Sequence, residues 1–293
     1  MRVTDKGIFD NAARSAGLQR ERLQQAVNEN ATGLRVEHPW DDPGVTAPLI
    51  GHRLTATRQA ALGTTADRAN DELSAVDGSL GAITETLSRA RELAIQMSND
   101  SYSATDRRIS AEEVKTLFNE ALGLLNARVG NRYLFAGFKD DQPAFDANGV
   151  YQGDTGVRKI EAFPGIFQDV SLTGSDIATG TSGGPNILAT LTDLDTALRG
   201  NDVAGVQSTL SRLDNGIEHL SLSRAQMGAA SNTLTLAATN ARANVDQEKG
   251  NISRISEADV FESATKLALA QRGLEAALTA SARSFDLSLL DKL

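Results

Sequence analysis

The chain has 293 residues, which is enough to bury a substantial core and to divide into two or three domains. Its net charge is -9, and no basic patch of the kind that nucleic-acid binding requires is present, so we expect no nucleic-acid partner. The absence of cysteine excludes disulfides, thiol catalysis and thiolate metal sites.

No apolar run approaches the roughly 20 residues that a membrane-spanning helix needs, so we expect no membrane partner. Residues 1–6 lack the apolar core of a cleavable signal peptide, and we therefore expect no cleaved leader. Aromatic residues make up only 4% of the chain although hydrophobic residues make up 40%. This balance favours long helices packed through small side chains over a compact enzyme core.

The N-terminal segment carries an alternating 4-3 spacing that predicts a helix with one packing seam. The seam positions are Phe9, Ala13, Ala16, Arg20, Leu23, Val27, Asn30 and Leu34. A matching C-terminal seam consists of Val260, Ala264, Leu267, Gln271, Leu274, Leu278, Ser281 and Phe285. Small and polar residues occupy many of these positions, so each helix buries little apolar area and should be marginal alone. We predict that the two helices pair with each other and are completed by assembly.

Two longer seams lie between these ends. The first consists of Leu62, Ala66, Ala69, Leu73, Val76, Leu80, Ile83, Leu87, Ala90, Ala94 and Met97. The second consists of Val206, Leu210, Leu213, Ile217, Leu220, Arg224, Met227, Ser231, Leu234, Ala238, Ala241 and Val245. Because their lengths are similar, they predict an antiparallel side-by-side pair.

Shorter elements fill the centre of the chain. After the turn at 99–103, Thr105 or Ser110 is predicted to cap a helix, and a further helix is predicted from Ile187 to Leu198. Residues 133–184 contain most aromatics and predict short strands at 133–135 and 150–152, a hairpin at Pro164-Gly165 and a small separate core. The tract 174–184 is predicted to be a flexible return segment.

The predicted fold is mainly α: an elongated antiparallel helical-rod or coiled-coil bundle with a small β-rich insert and paired terminal helices. We divide it into a terminal helical assembly region (1–54 with 251–293), a helical rod domain (55–132 with 185–250) and the β-rich insert (133–184). In the terminal region, Arg35 is placed to meet a carboxylate, and Asp41 and Asp42 precede a proline as a turn and helix cap. The alternative interpretation is that Arg35, Asp41 and Asp42 lie in an ordinary solvated loop.

No arrangement of residues predicts chemistry. His38, His52 and His219 lack metal-ligand spacing, and residues 146–149 resemble the start of a calcium loop without its later ligands. No phosphate-binding glycine loop and no Gly-x-Ser-x-Gly elbow occur. We therefore predict no metal, no cofactor and no enzymatic activity.

Several stretches resemble the flagellin superfamily. They are Thr32–Val36 with Asp41–Gly44, Arg91–Gln96 with Asp106-Arg107, and the tail from Ser256–Val260 through Leu287–Leu290. Within it, Met1–Thr4, Asn131–Gly137 and Val150–Asp154 are similar to the hook-filament junction branch, on the filament side. The segment Glu37–Trp40 departs from the pattern, because relatives usually carry small polar residues there.

This resemblance implies an extracellular, non-enzymatic subunit of the bacterial flagellum, exported through the type III channel. The implied partners are the hook-side junction protein, flagellin, further copies in a ring, and an export chaperone on the C-terminal helix. Filament flagellin and an intracellular coiled-coil scaffold are the alternatives. We expect the assembly interface to comprise Phe9, Ala16, Leu23, Val27, Leu34, Arg35, Asp41, Asp42, Val260, Leu267, Leu274, Leu278, Phe285, Leu289 and Leu290.

Overall fold

The computed structural model describes residues 2–180 and 184–290, with side chains described for 10–180 and 184–283. The described helices are α1 (Arg2–Thr32), α2 (Pro43–Met97), α3 (Ala104–Leu125), α4 (Gly174–Ala178), α5 (Ile187–Arg199), α6 (Val203–Ser256) and α7 (Val260–Leu290). The strands are β1 (Arg128–Val129), β2 (Arg132–Tyr133), β3 (Lys159–Phe163) and β4 (Ile166–Asp169). The predicted fold class, mainly α with a small β-rich insert, is confirmed.

Contacts along the chain define two compact units. Unit 1 consists of Met1–Arg58 and Asn244–Leu293, and unit 2 consists of Gln59–Ala243. Helices α2 and α6 each contribute residues to both units. The three-region division made from the sequence stays a prediction.

Unit 2 is organised by the two long seams. Ten of the eleven predicted seam residues of α2 are buried, and Leu62 is partly buried. On α6 the buried seam residues are Val206, Leu213, Leu220, Met227, Leu234, Ala238 and Ala241. Between the helices, Arg224 binds Asp77 at 2.8 Å and Arg242 binds Asp67 at 2.6 Å. Residue numbers rise along one helix as they fall along the other, so this pair is antiparallel as predicted.

Helix α3 begins two residues earlier than a cap at Thr105 would place it. Its N-cap is Ser103, whose hydroxyl accepts the Asp106 amide while the Asp106 carboxylate accepts the Ser103 amide. The prediction of Thr105 or Ser110 as the cap was wrong, because only Ser103 forms this reciprocal capping box. The next residue, Arg107, is buried and donates to the carbonyls of Met97 and Asn99, which ties α3 to the end of α2.

The β-rich segment contains two small antiparallel sheets, β1–β2 and β3–β4. The predicted hairpin at Pro164-Gly165 connects β3 with β4, and Gly165 has a φ of +76° that suits glycine. Residues 150–152 do not form the predicted strand, since Tyr151 makes only an isolated bridge with Phe145. The predicted flexible tract contains α4, which is capped by the Thr173 side chain.

The prediction of a separate core for residues 133–184 was wrong. Phe135 and Phe145 are fully buried in one continuous hydrophobic cluster that also contains Leu125 and Leu191. Too few apolar residues lie in this segment to enclose a core, so its aromatic rings pack against the helices instead. Phe138, at 63% exposure, remains outside the cluster.

The Tyr-Gln-Gly-Asp stretch closes this part of unit 2. The Tyr151 hydroxyl contacts the Phe135 carbonyl at 3.1 Å and donates to the Asp154 carbonyl at 2.6 Å. Burial raises the pKa of Tyr151 to about 12, so the hydroxyl stays protonated. The Asp154 amide donates to the Ala136 carbonyl at 3.1 Å. These bonds hold the backbone so closely that a Cβ at Gly153 would lie 2.4 Å from the Tyr151 hydroxyl oxygen.

We expect Gly153→Ala to lower the free energy of unfolding of unit 2 by about 1–3 kcal/mol, because overpacking a tight site displaces its neighbours. Gly123→Ala is the matched control. A Cβ at Gly123, inside α3, meets no atom within 4 Å, so this change should stabilise the helix by about 0.4–1 kcal/mol. Urea unfolding followed by circular dichroism measures both. Equal effects of the two substitutions would contradict the close packing at Gly153.

Candidate assembly site

Unit 1 contains the predicted pair of terminal helices, and α1 packs against α7. The α1 residues with buried or partly buried side chains on this face are Ala12, Ala16, Gln19, Leu23 and Ala26. Those of α7 are Ser263, Leu267, Ala270, Leu274, Ala277 and Ser281. Both sets keep a 4-3 spacing. The pairing predicted from the sequence is therefore present, through side chains that are mostly small.

The predicted register of these seams was wrong at every second position. Val27, Val260 and Leu278 are 42%, 73% and 54% exposed, and the positions just before Val27 and Leu278 face the partner helix instead. Sequence reasoning favours larger apolar residues, whereas alanine at these positions allows two helix backbones to approach closely. Ala16, Leu23, Leu267 and Leu274 are partly buried as the seam required. The predictions for Phe9, Phe285, Leu289 and Leu290 concern side chains outside the described part of the chain.

Polar contacts fix the register of the pair. Lys266 of α7 lies 3.0 Å from Glu29 of α1 and 3.1 Å from Glu262 of its own helix. The bond to Glu29, followed by that to Glu262, raises the pKa of Lys266. Asn30 donates to the Ser263 hydroxyl at 3.4 Å. Sequence reasoning did not assign these contacts, although charged residues flanking a seam are a recognisable signal.

Backbone contacts join the segment that follows α1 to the segment that precedes α7. The prediction that Leu34 continues the helical seam was wrong, because α1 ends at Thr32. Leu34 instead forms an isolated antiparallel bridge with Glu257. The Arg35 and Val36 amides donate to the Ser256 carbonyl at 2.7 and 3.2 Å. Val36 and Ser256 are almost fully buried. Sequence reasoning missed both, because a contact between residues so far apart leaves no periodic pattern.

The loop after α1 is held by two aspartates. Arg35 pairs with Asp42 at 3.0 Å and also donates to the Ile255 carbonyl at 2.8 Å. Asp42 accepts the Gly44 amide at 3.2 Å and so caps α2, whose first residue is Pro43. The expected pairing of Arg35 with a carboxylate and the expected cap are thus both present. The contact with Ile255 connects the loop to the end of α6.

Asp41 organises the outer part of the same loop. Its Oδ2 accepts the amides of His38 at 2.7 Å and Glu37 at 2.9 Å. The hydrogen bond from His38, and then that from Glu37, hold the pKa of Asp41 below its ordinary value against the opposing effect of burial. A carboxylate that accepts two amides acts as a local turn template.

A further contact joins α2 and α6 within unit 1. His52 Nδ1 lies 2.5 Å from Glu248, which also accepts the Asn251 side-chain amide at 3.3 Å. The bond from His52, followed by that from Asn251, lowers the pKa of Glu248. Leu49, one turn before His52, is buried. In the sequence, His52 and Glu248 are isolated polar residues, and no pattern indicates that they pair.

Unit 1 leaves several large apolar side chains in solvent. In addition to the three misassigned seam residues, those that are at least half exposed are Leu18, Trp40, Ile50, Leu54, Phe261 and Leu269. Single exposed apolar residues are ordinary, but this number within one unit, whose terminal helices share so thin a seam, is typical of a surface that binds protein.

Within the described residues, no group of three His, Asp or Glu side chains is arranged to hold a metal ion. In the same part of the chain, no helix combines the length and apolarity required to cross a bilayer.

The Asp41 contact predicts an acid transition in the loop. A depressed pKa means that the carboxylate contributes stability fully above its ordinary value of 3.8 and loses that contribution as the pH falls through the lower folded-state value. Emission of Trp40, the single tryptophan, should therefore change at acid pH while helical circular dichroism is still intact. Asp41→Ala should abolish this step. His38→Gln, which keeps the backbone amide, should retain it. Identical acid transitions in the parent and Asp41→Ala would refute this role.

A family model described as the bacterial flagellin N-terminal helical region matches residues 7–140. Flagellar hook-associated protein 3 of Escherichia coli (strain K12) is 24% identical over 259 residues, which cover 80% of this chain and 81% of that protein. Flagellin of Bacillus subtilis (strain 168) is 26% identical over 251 residues, which cover 81% of each chain. These relatives are structural flagellar proteins.

Solved structures show the same fold. A flagellar hook-associated protein from Vibrio parahaemolyticus has a TM-score of 0.66 at 23% identity, covering 73% of this chain and 100% of the solved one. FlgL of Xanthomonas campestris has a TM-score of 0.61 at 19% identity, covering 68% and 98%. The sequence matches confirm the resemblance to the flagellin superfamily that the motifs indicate, and the chain shares the fold of these solved structures.

Proposed function

We propose that this chain is a structural subunit of the bacterial flagellum that joins the hook to the filament. The observation that carries the proposal is the terminal helix pair, which has a thin seam inside and large apolar side chains outside. The similarity to hook-associated protein 3 and the fold shared with FlgL support the junction role. The role requires no chemistry, and we propose that the chain is not an enzyme.

The mechanism we propose is folding completed by assembly. In the isolated chain, α1 and α7 hold each other weakly, because a seam of alanine and serine buries little apolar area. In the flagellum, neighbouring subunits cover the outer face of the pair and supply the free energy that ordering requires. The misassigned residues Val27, Val260 and Leu278 then belong to contacts between subunits. Arg35, Asp41 and Asp42 hold the loop beside that surface.

The regions predicted from the sequence take separate roles in this mechanism. Residues 1–54 with 251–293 form the assembly region, 55–132 with 185–250 the stable helical domain, and 133–184 an insert. The partners we propose are the hook-side junction protein, flagellin and further copies in a ring. Before export, a cytoplasmic chaperone covers α7, whose exposed apolar residues would otherwise invite aggregation. The mature subunit is extracellular.

Filament flagellin is the second candidate. The observation that favours it is the 26% identity to the Bacillus subtilis protein. The stretches 131–137 and 150–154, which resemble the junction branch, argue for the junction role, and the Tyr151 hydroxyl joins them through its contact with the Phe135 carbonyl. Copy number per flagellum separates the two, since a filament requires far more subunits than a ring. An intracellular scaffold would be absent from sheared extracellular appendages.

We expect the double variant Val260→Asp, Leu278→Asp to fold but not assemble. Both side chains are exposed in unit 1, so the helices should form normally. A neighbouring subunit would have to bury two unpaired carboxylates, and incorporation should fall by more than about tenfold. The measurement is the amount of chain in purified, sheared flagella relative to that in the medium. Leu236→Asp, on an exposed site of unit 2, is the control. Normal incorporation of the double variant would contradict the mechanism.

Trp40 provides an independent optical test. Its side chain is 73% exposed in the isolated chain, so its emission should lie at long wavelength. Assembly should remove water from the loop and shift the emission to shorter wavelength. The spectrum of purified monomer is compared with that of assembled protein whose partners lack tryptophan. An unchanged spectrum would show that the loop stays in water.

A further inference from the structure

Trp40 lies beside a groove in unit 1. The indole stacks on the His38 ring with centroids 4.5 Å apart and an angle of 15° between the planes, yet Trp40 remains 73% exposed. The groove holds about 350 Å³ between α1 and the loop that carries these two rings. Glu21, Glu29 and Glu37 are among the residues that line it. A large aromatic side chain is thus presented to solvent at the edge of a polar cleft.

The backbone beneath the ring is well fixed. Asp41 accepts the amides of Glu37 and His38, and Thr46 donates to the Pro39 carbonyl at 3.0 Å and to the Asp42 carbonyl at 2.9 Å. Hydrogen bonds therefore hold the loop on both sides of Trp40. A ring held in this way loses little conformational freedom when it binds a partner.

The charges of the groove define what it can accept. Arg35 is its basic residue, and its guanidinium is engaged with Asp42 and the Ile255 carbonyl. Glu29 is paired with Lys266. Across the described side chains, Glu21 and Glu37 form no ion pair. An aromatic face beside two carboxylates without ion-pair partners fits a guanidinium, which stacks on indole and binds carboxylates.

Resting on the proposed function, we propose that an arginine from the terminal helices of a second copy of this chain occupies the groove and stacks on Trp40. The same chain carries the complement: the terminal helices present exposed arginines that form no ion pair within the described residues, namely Arg14, Arg20, Arg22, Arg272 and Arg283. When each copy gives an arginine to one neighbour and receives one from another, the contact is heterologous, and such contacts propagate from copy to copy into a ring or a helix.

The test places the photoreactive residue p-benzoylphenylalanine at position 40 of the full-length chain in flagellated cells. Irradiated, sheared flagella should yield a covalent dimer of this chain, with the attachment site on α1 or α7 by mass spectrometry. The same residue at position 236, on an exposed site of unit 2, is the control and should not attach to the terminal helices. Adducts from position 40 with another protein, or no adducts, would overturn the proposal.

Charge reversal tests the arginine itself. With the photoreactive residue in place, Glu21→Lys and Glu37→Lys together should reduce the dimer yield roughly tenfold, as expected for close charge pairs across an interface. One of the changes Arg14→Glu, Arg20→Glu, Arg22→Glu, Arg272→Glu and Arg283→Glu, each added singly to the same chain, should restore it. Failure of all five to restore the dimer would reject the arginine contact. The presence of the chain in sheared flagella tests the proposed function separately, because that result does not depend on what position 40 touches.

Discussion

The close pairing of α1 with α7 through alanine and serine is the constraint on which the terminal region depends. Small side chains allow the helix backbones to approach, but they remove little apolar surface from water. The polar contact between Lys266 and Glu29 fixes the register without adding much stability, since exposed ion pairs contribute roughly 0–1 kcal/mol. A pair built in this way is specific but weak. Its larger apolar side chains, such as Phe261 and Leu269, remain on the outside, exposed to solvent.

Unit 2 follows the opposite principle. Leu73, Leu80 and Leu87 of α2 are buried in a seam that continues without a gap, and the β-rich segment adds Phe135 and Phe145 to the same cluster. Apolar burial of this extent stabilises a unit without partners. On the proposed mechanism, the chain separates two requirements, a self-sufficient body and ends that gain order from assembly. A single uniform core could not meet both, because full burial would leave nothing for neighbours to cover.

Sequence patterns predicted the structure wherever one strong periodicity decided it. The long seams and the Pro164-Gly165 hairpin were correct, since leucine spacing and turn chemistry act locally. The terminal seams were one position out at Val27 and Leu278, because choosing between neighbouring heptad positions depends on backbone distance, which composition does not encode. The bridge of Leu34 with Glu257 could not be inferred from spacing at all. It follows from where two distant helices end, and only tertiary packing determines that.

The ten residues of the loop after α1 include two stretches that resemble flagellins and one stretch that departs from the flagellin pattern. Arg35 and Asp42 lie in the stretches similar to flagellins, and they make the contacts that tie the loop to α6 and cap α2. Glu37 and Trp40 lie in the departing stretch between them, and their side chains face solvent. The closing contacts need particular side chains, whereas the exposed rim needs only a backbone that Asp41 can hold. The side chains of the rim can therefore vary without disturbing the backbone of the loop. Contacts particular to this chain can form there.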